Sequence, residues 1–156
     1  MAPLALIVDG DELFLSRLRS VAKDAGYEVL GETEFEVARE RLRARHPAVV
    51  VTNMRLKAFN GIHLAYLGKM DQKSTRVVVY DVELDRVLAR EAQRAGAFFE
   101  RQQRIPYSLG MYLRSQLPET DRRDPAVLDR RAQFRGGRRA TDVENLQSGL
   151  RAPVTT

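Results

Sequence analysis

The 156-residue chain contains no cysteine and only two histidines. The lack of thiols excludes a disulfide scaffold and thiolate metal sites, and it is compatible with a reducing cytoplasm. His46 and His63 share no metal-ligand spacing, and His46, directly before Pro47, reads as a helix-end residue facing terminal carbonyls. No apolar run approaches the ~18–20 residues that cross a bilayer. The opening MAPLALIVDGDELF has no basic region ahead of its short apolar run, so it does not read as a signal peptide. No phosphate-cradling glycine loop and no Ser/His/acid set can be assembled, and Asn60-Gly61 reads as a turn. A cytoplasmic protein without membrane contact is expected.

What is present suits one ordinary domain with an appendage: 44% hydrophobic and 30% charged residues. The 26 basic residues are mixed with 21 acids, and the net charge of +5 reads as a mixed surface.

Up to Pro118 two patterns alternate. Short apolar runs at Leu4–Val8, Tyr27–Gly31, Ala48–Val51, Arg76–Tyr80 and Ala97–Phe99 have the length and β-branching of strands. Their continuous apolarity predicts burial on both faces, as in a parallel sheet. Between them lie helical stripes: Phe14, Leu18, Val21 and Ala25; Phe35, Ala38 and Leu42, with Thr33 as N-cap and Glu36 behind it; Leu84, Leu88, Ala92 and Ala95, stopped by Gly96; and Leu109, Leu113 and Leu117 after Pro106. A shorter helix is expected over Ile62–Met70. Five βα units predict an α/β fold, one five-stranded parallel sheet with helices on both faces, doubly wound as a three-layer sandwich. The site of such a sheet lies at the carboxyl ends of its strands.

Those ends carry Asp9, Gly10 and Asp11 after the first strand, Asn53 after the third, Asp81 after the fourth and Arg101 after the fifth. Their order and spacing, with LIVDGDELFLSRLRSVAKDAGYEV, VVVTNMRLKAFNGIHLA and RAGAFFER in sequence, resemble the receiver domain of two-component response regulators over Pro3 to about Leu117. The resemblance implies an acidic pair holding Mg²⁺, an aspartate ending the third strand that accepts a phosphoryl group, a Ser or Thr ending the fourth and a Lys ending the fifth. This chain matches the frame and departs from the chemistry. Asp9 matches the first acid, Gly10 stands at the second and Asp11 points elsewhere. Asn53 occupies the acceptor position, and an amide is no nucleophile toward phosphorus at neutral pH. Asp81 replaces the hydroxyl, Arg101 the lysine and Lys57 a loop proline, whereas Gly61 fits the family's loop glycine. A pocket so altered is close to neutral without metal, so no cofactor is expected and Mg²⁺ binding is disfavoured. An ion pair between Asp81 and Arg101 is expected to lock one surface conformation.

The resemblance further implies partner binding through the fourth helix, fifth strand and fifth helix, here carrying Arg86, Arg90, Arg94, Arg104, Tyr107, Tyr112 and Arg114. Tyr80 ends its strand near that face or packs in the core. A signalling protein is the expected partner, and a homodimer through the same face is the other expected assembly. After Pro118, residues 119–156 form an expected flexible tail with arginine pairs at Arg122-Arg123, Arg130-Arg131 and Arg138-Arg139 and a transient helix from Pro125 to Phe134. Eight arginines against six acids leave it only +2. The reading is a non-enzymatic, phosphorylation-independent receiver protein of bacterial type in two-component or phosphorelay signalling, acting through protein contacts. The alternatives are nucleic-acid or nucleotide binding by the tail, or a working phospho-acceptor at Asp9 or Asp11.

Overall fold

Runs of Val, Leu and Ile that are buried on both sides assemble as the centre of a sheet, because each face of such a strand must meet apolar cover. The computed structural model describes residues 1–72 and 74–115. Leu117, Pro118 and the tail expectations, including all six arginines of the repeated pairs, lie outside the described residues.

Within that span the order is β1 (Leu4–Val8), α1 (Glu12–Asp24), β2 (Glu28–Glu32), α2 (Phe35–Arg45), β3 (Val49–Asn53), β4 (Arg55–Leu56), β5 (Phe59–Asn60), α3 (Ile62–Asp71), β6 (Arg76–Asp81), α4 (Arg86–Arg94), β7 (Phe98–Arg101) and α5 (Ile105–Arg114). The five-stranded sheet has the order β2-β1-β3-β6-β7 with all neighbours parallel. The chain reverses direction of winding between β1 and β3, so a crevice opens there at the carboxyl ends.

Strand alternation sorts the core into two clusters. Ile7, Val49, Val51, Val78, Tyr80 and Phe98 face α1 and α5. Leu6, Val8, Val50, Val77, Val79 and Phe99 face α2, α3 and α4. No described helix is long and apolar enough to cross a membrane.

Three expectations are corrected locally. Thr33 does not cap α2; the helix starts at Phe35 with Glu34 as N-cap and no side-chain cap bond. The buried line of α1 is Leu15, Leu18 and Ala22, with Phe14, Val21 and Ala25 half-buried at its margin, a rotation of about one residue from the expected stripe. The loop after β3 contains the two-stranded antiparallel hairpin β4-β5, too short to show a strand pattern. His46 is the left-handed C-cap of α2 (φ 45°), its backbone N–H donating to the Leu42 carbonyl. Gly96, at φ 82°, follows α4 as expected.

Candidate functional site

Asp9 follows β1 and is only 2% exposed. A carboxylate at that depth needs donors, and three converge on it. Its Oδ1 accepts from the Asp11 backbone N–H at 2.8 Å. Its Oδ2 accepts from Asn53 Nδ2 at 3.2 Å and from the Tyr80 hydroxyl at 2.5 Å. Asn53 is held from both ends, because its Oδ1 accepts from the Arg55 backbone N–H at 2.9 Å. The amide thus serves as donor and acceptor at once, a role that an ionised aspartate cannot fill.

Sequence alone does not single out Tyr80 as a site residue, since a strand-end tyrosine reads equally as core or surface. It is fully buried on the α1–α5 side, its ring 5.7 Å from that of Phe14. Burial first, then the charge of Asp9 and the bond to it, push its pKa far above the ordinary tyrosine range. The phenol therefore stays a proton donor.

Asp81 ends β6 and is fully buried. The register does set it beside Arg101, but the expected Asp81–Arg101 ion pair does not form. Asp81 Oδ1 accepts instead from Arg55 Nε at 3.0 Å and from the Val82 backbone N–H at 2.7 Å. Adjacent Cα atoms do not oblige side chains to meet. Arg55 opens β4 just past the strand ends, where Met54 N–H donates to the Tyr80 carbonyl at 2.7 Å, and its side chain reaches Asp81 from there. The Arg55 pKa is raised, chiefly by the hydrogen bond to Asp81 and then by its charge, with smaller pulls from Glu83 and Asp85. The other carboxyl oxygen of Asp81 is buried without a hydrogen-bond partner, so Arg55 and the Val82 amide carry its whole solvation.

The remaining residues fall into place around this pair of anchors. Gly10 is exposed, with open space where a Cβ would stand. Asp11 is the N-cap of α1 and accepts from the Leu13 and Phe14 amides. Lys57 sits at φ 54° and pairs with Glu34. Gly61 is needed for close approach, since a Cβ there would lie 2.1 Å from the Asn53 carbonyl oxygen. His63 stands edge-on to Phe35, which stacks on Phe59. Among the described residues no group of three or more His, Cys, Asp or Glu gathers as metal ligands.

The expected interaction face divides. Arg86, Arg90 and Arg94 are exposed on α4. Tyr112 is half-buried edge-on against Phe98. Tyr107 turns the other way, toward α1, where the Arg17 guanidinium lies 5.4 Å over its ring.

A doubly wound parallel sheet of this strand order has counterparts among known proteins. The family model for the response regulator receiver domain matches residues 5–99. The chain belongs to that family. Comparison of this receiver domain with curated proteins gave no match. Among solved structures it is similar to a LuxR-family two-component response regulator from Aurantimonas sp. SI85-9A1, at 20% identity and TM-score 0.62, covering 71% of this chain and 81% of that one. A CheY-like receiver domain protein from Methanospirillum hungatei JF-1 shares 14% identity at TM-score 0.64, over 72% of this chain and 94% of that chain. A response regulator from Burkholderia pseudomallei, solved with a phosphorylated aspartic acid and a calcium ion, shares 20% identity at TM-score 0.59, over 64% of this chain and 58% of that chain. At these identities the structures establish a common fold. Receiver domains belong to two-component signalling, and this one is placed there by its family.

Proposed function

We propose that this receiver domain signals through protein contacts without phosphorylation at the position of Asn53. One observation carries the reading: the Asp9 carboxylate already has the Asp11 amide, the Asn53 amide and the Tyr80 hydroxyl as donors. The residues do not fit a divalent ion. Such an ion takes several anionic or carbonyl oxygens, and here Gly10 supplies no side chain, Asn53 no charge, and Asp9 Oδ2 is engaged twice. The salt bridge from Arg55 to Asp81 takes the place of contacts that the family makes through a phosphoryl group. It ties the β3–α3 loop to the start of the β6–α4 loop and so holds one arrangement of the surface leading into α4.

The alternative acceptors are poorly placed. Asp9 is buried and engaged, and the Asp11 side chain caps α1. Intact mass spectrometry after incubation with a small phosphodonor and Mg²⁺ tests the reading. An unchanged mass is expected; an acid-labile gain of one phosphoryl group overturns it.

A further inference from the structure

Helix α3 keeps Ile62, Leu64, Ala65 and Gly68 in the core, and so turns His63, Tyr66 and Met70 outward at i, i+3 and i+7, a single stripe on the opposite side. Met70 is 80% exposed and Tyr66 40%. The β4-β5 hairpin continues the stripe beyond the start of the helix. Phe59, also 40% exposed, stacks on Phe35 with ring centroids 4.5 Å apart, and His63 meets the same Phe35 edge-on at 6.3 Å. Phe59, His63, Tyr66 and Met70 thus make one exposed, largely apolar patch. Its flanks are charged but balanced: Lys57 pairs with Glu34, Arg39 with Glu36, and Arg43 with Asp71, the last joining α2 to α3.

We propose that this patch joins two copies of the chain, with their α3 helices antiparallel across a twofold axis near Tyr66. The charge selects the occupant. A rim of ion pairs closed within each copy sets no uncompensated charge against its own image. By contrast, exposed Tyr107 and Met111 on an α5 without acids, and exposed Val87 on an α4 with three arginines to one acid, would meet like charge in a second copy. The spacing also suits a contact of one patch with itself. His63 and Met70 lie roughly 5 Å to either side of Tyr66 along the helix axis, so the axis brings Met70 of one copy onto Phe59 and His63 of the other. A thioether against an aromatic ring is a favourable contact, and the opposed helix dipoles add to it. The hairpin links the patch to the strand ends, since Phe59 faces Leu56 in register and Arg55, next to Leu56, holds Asp81. Self-association of this kind asks nothing of the Asn53 position, so it holds or fails separately from phosphorylation independence.

The test is sedimentation velocity of the full chain over roughly 1 µM to 1 mM, at low and at high salt. A dimer is expected, with a dissociation constant that changes little with salt because the charges at its rim are already paired. Met70→Glu, at a side chain mostly in water, should raise that constant roughly tenfold or more with an unchanged unfolding temperature, and Tyr66→Ala should raise it too. Val87→Glu and Met111→Glu should leave it unchanged. Amide NMR shifts between dilute and concentrated samples should centre on residues 59–70. A monomer at every concentration overturns the proposal, as does a dimer that Met70→Glu leaves intact, one that Val87→Glu or Met111→Glu dissolves, or one that high salt disperses. A monomer whose residues 59–70 shift on adding phosphatidylcholine vesicles overturns it in favour of a membrane contact. Running the same samples after phosphodonor and Mg²⁺, with intact mass alongside, separates the two readings. A phosphoryl gain with the dimer unchanged overturns phosphorylation independence alone, whereas a monomer of unchanged mass removes the dimer alone.

Discussion

Replacing Tyr80 by Phe removes one oxygen and nothing else from a fully buried ring, so it isolates the bond to Asp9. That bond is short, at 2.5 Å, and ends on a carboxylate that is itself buried. Hydrogen bonds to charged groups contribute about 1.5–3 kcal/mol, and a buried acceptor deprived of a donor costs a similar amount. The Asp11 and Asn53 donors remain, which places Tyr80→Phe at about 2 kcal/mol less stable at pH 7, or roughly 6–12 °C in unfolding temperature for a domain of this size. The raised pKa adds a second signature. Below about pH 10, the ordinary tyrosine value, the phenol is protonated both folded and unfolded, and the bond contributes in full. Above it the unfolded chain releases the proton while the folded one keeps it, so stability falls as pH rises. Urea unfolding of parent and variant at pH 7 and at about pH 10.5 reads both effects: the gap should be wide at pH 7 and narrower at the higher pH. A variant within about 0.5 kcal/mol of the parent at pH 7, or a gap that does not change with pH, refutes the role assigned to Tyr80.

Asn53→Asp sets a second carboxylate against Asp9 and replaces a donor with an acceptor. It should lower stability by about 1–3 kcal/mol at pH 7 and recover part of that as acid protonates the introduced carboxylate, whose pKa the neighbouring like charge raises, as measured by thermal unfolding across pH. A double-mutant cycle on Arg55→Ala and Asp81→Ala should show coupling that weakens in high salt, whereas the matching cycle on Arg101→Ala and Asp81→Ala should show none. Arg55→Ala alone should speed hydrogen exchange in residues 81–85 more than in β1. Gly61→Ala forces a methyl into the Asn53 carbonyl and should cost about 3 kcal/mol, measurable by urea unfolding.

The fold was legible because its strands are short, apolar without alternation and separated by helix stripes: the pattern at Leu4–Val8 or Val49–Asn53 has few other solutions. The strand-end positions followed from the same periodicity. What could not be read was which side chains meet there. Arg55 lies two residues past Asn53 in a hairpin of two-residue strands, and nothing in its neighbourhood distinguishes it from the chain's other surface arginines. Tyr80 shares its strand with Val78, and a phenol in a valine-rich run looks like packing until the position of Asp9 is known. A buried acid without a second acid beside it was the usable signal, because it obliges some donor to come near. The Asp81–Arg101 expectation failed for a related reason: register gives neighbours in the sheet, while the loop above it supplies the partner.

Strand parity gives the end of β6 a further meaning. Tyr80 shares a side of the sheet with Val78, and Asp81 shares the other with Val79. Two consecutive residues therefore report to different helices, one to α1 and α5 and the next to the approach to α4. Damage to either should be heard on its own side first: Tyr80 variants by Leu109 and Ile105, Asp81 variants by the turn that Asp85 caps. One strand end therefore carries two separately packed polar anchors, Tyr80 bonded to Asp9 beside α1 and α5 and Asp81 bonded to Arg55 on the approach to α4.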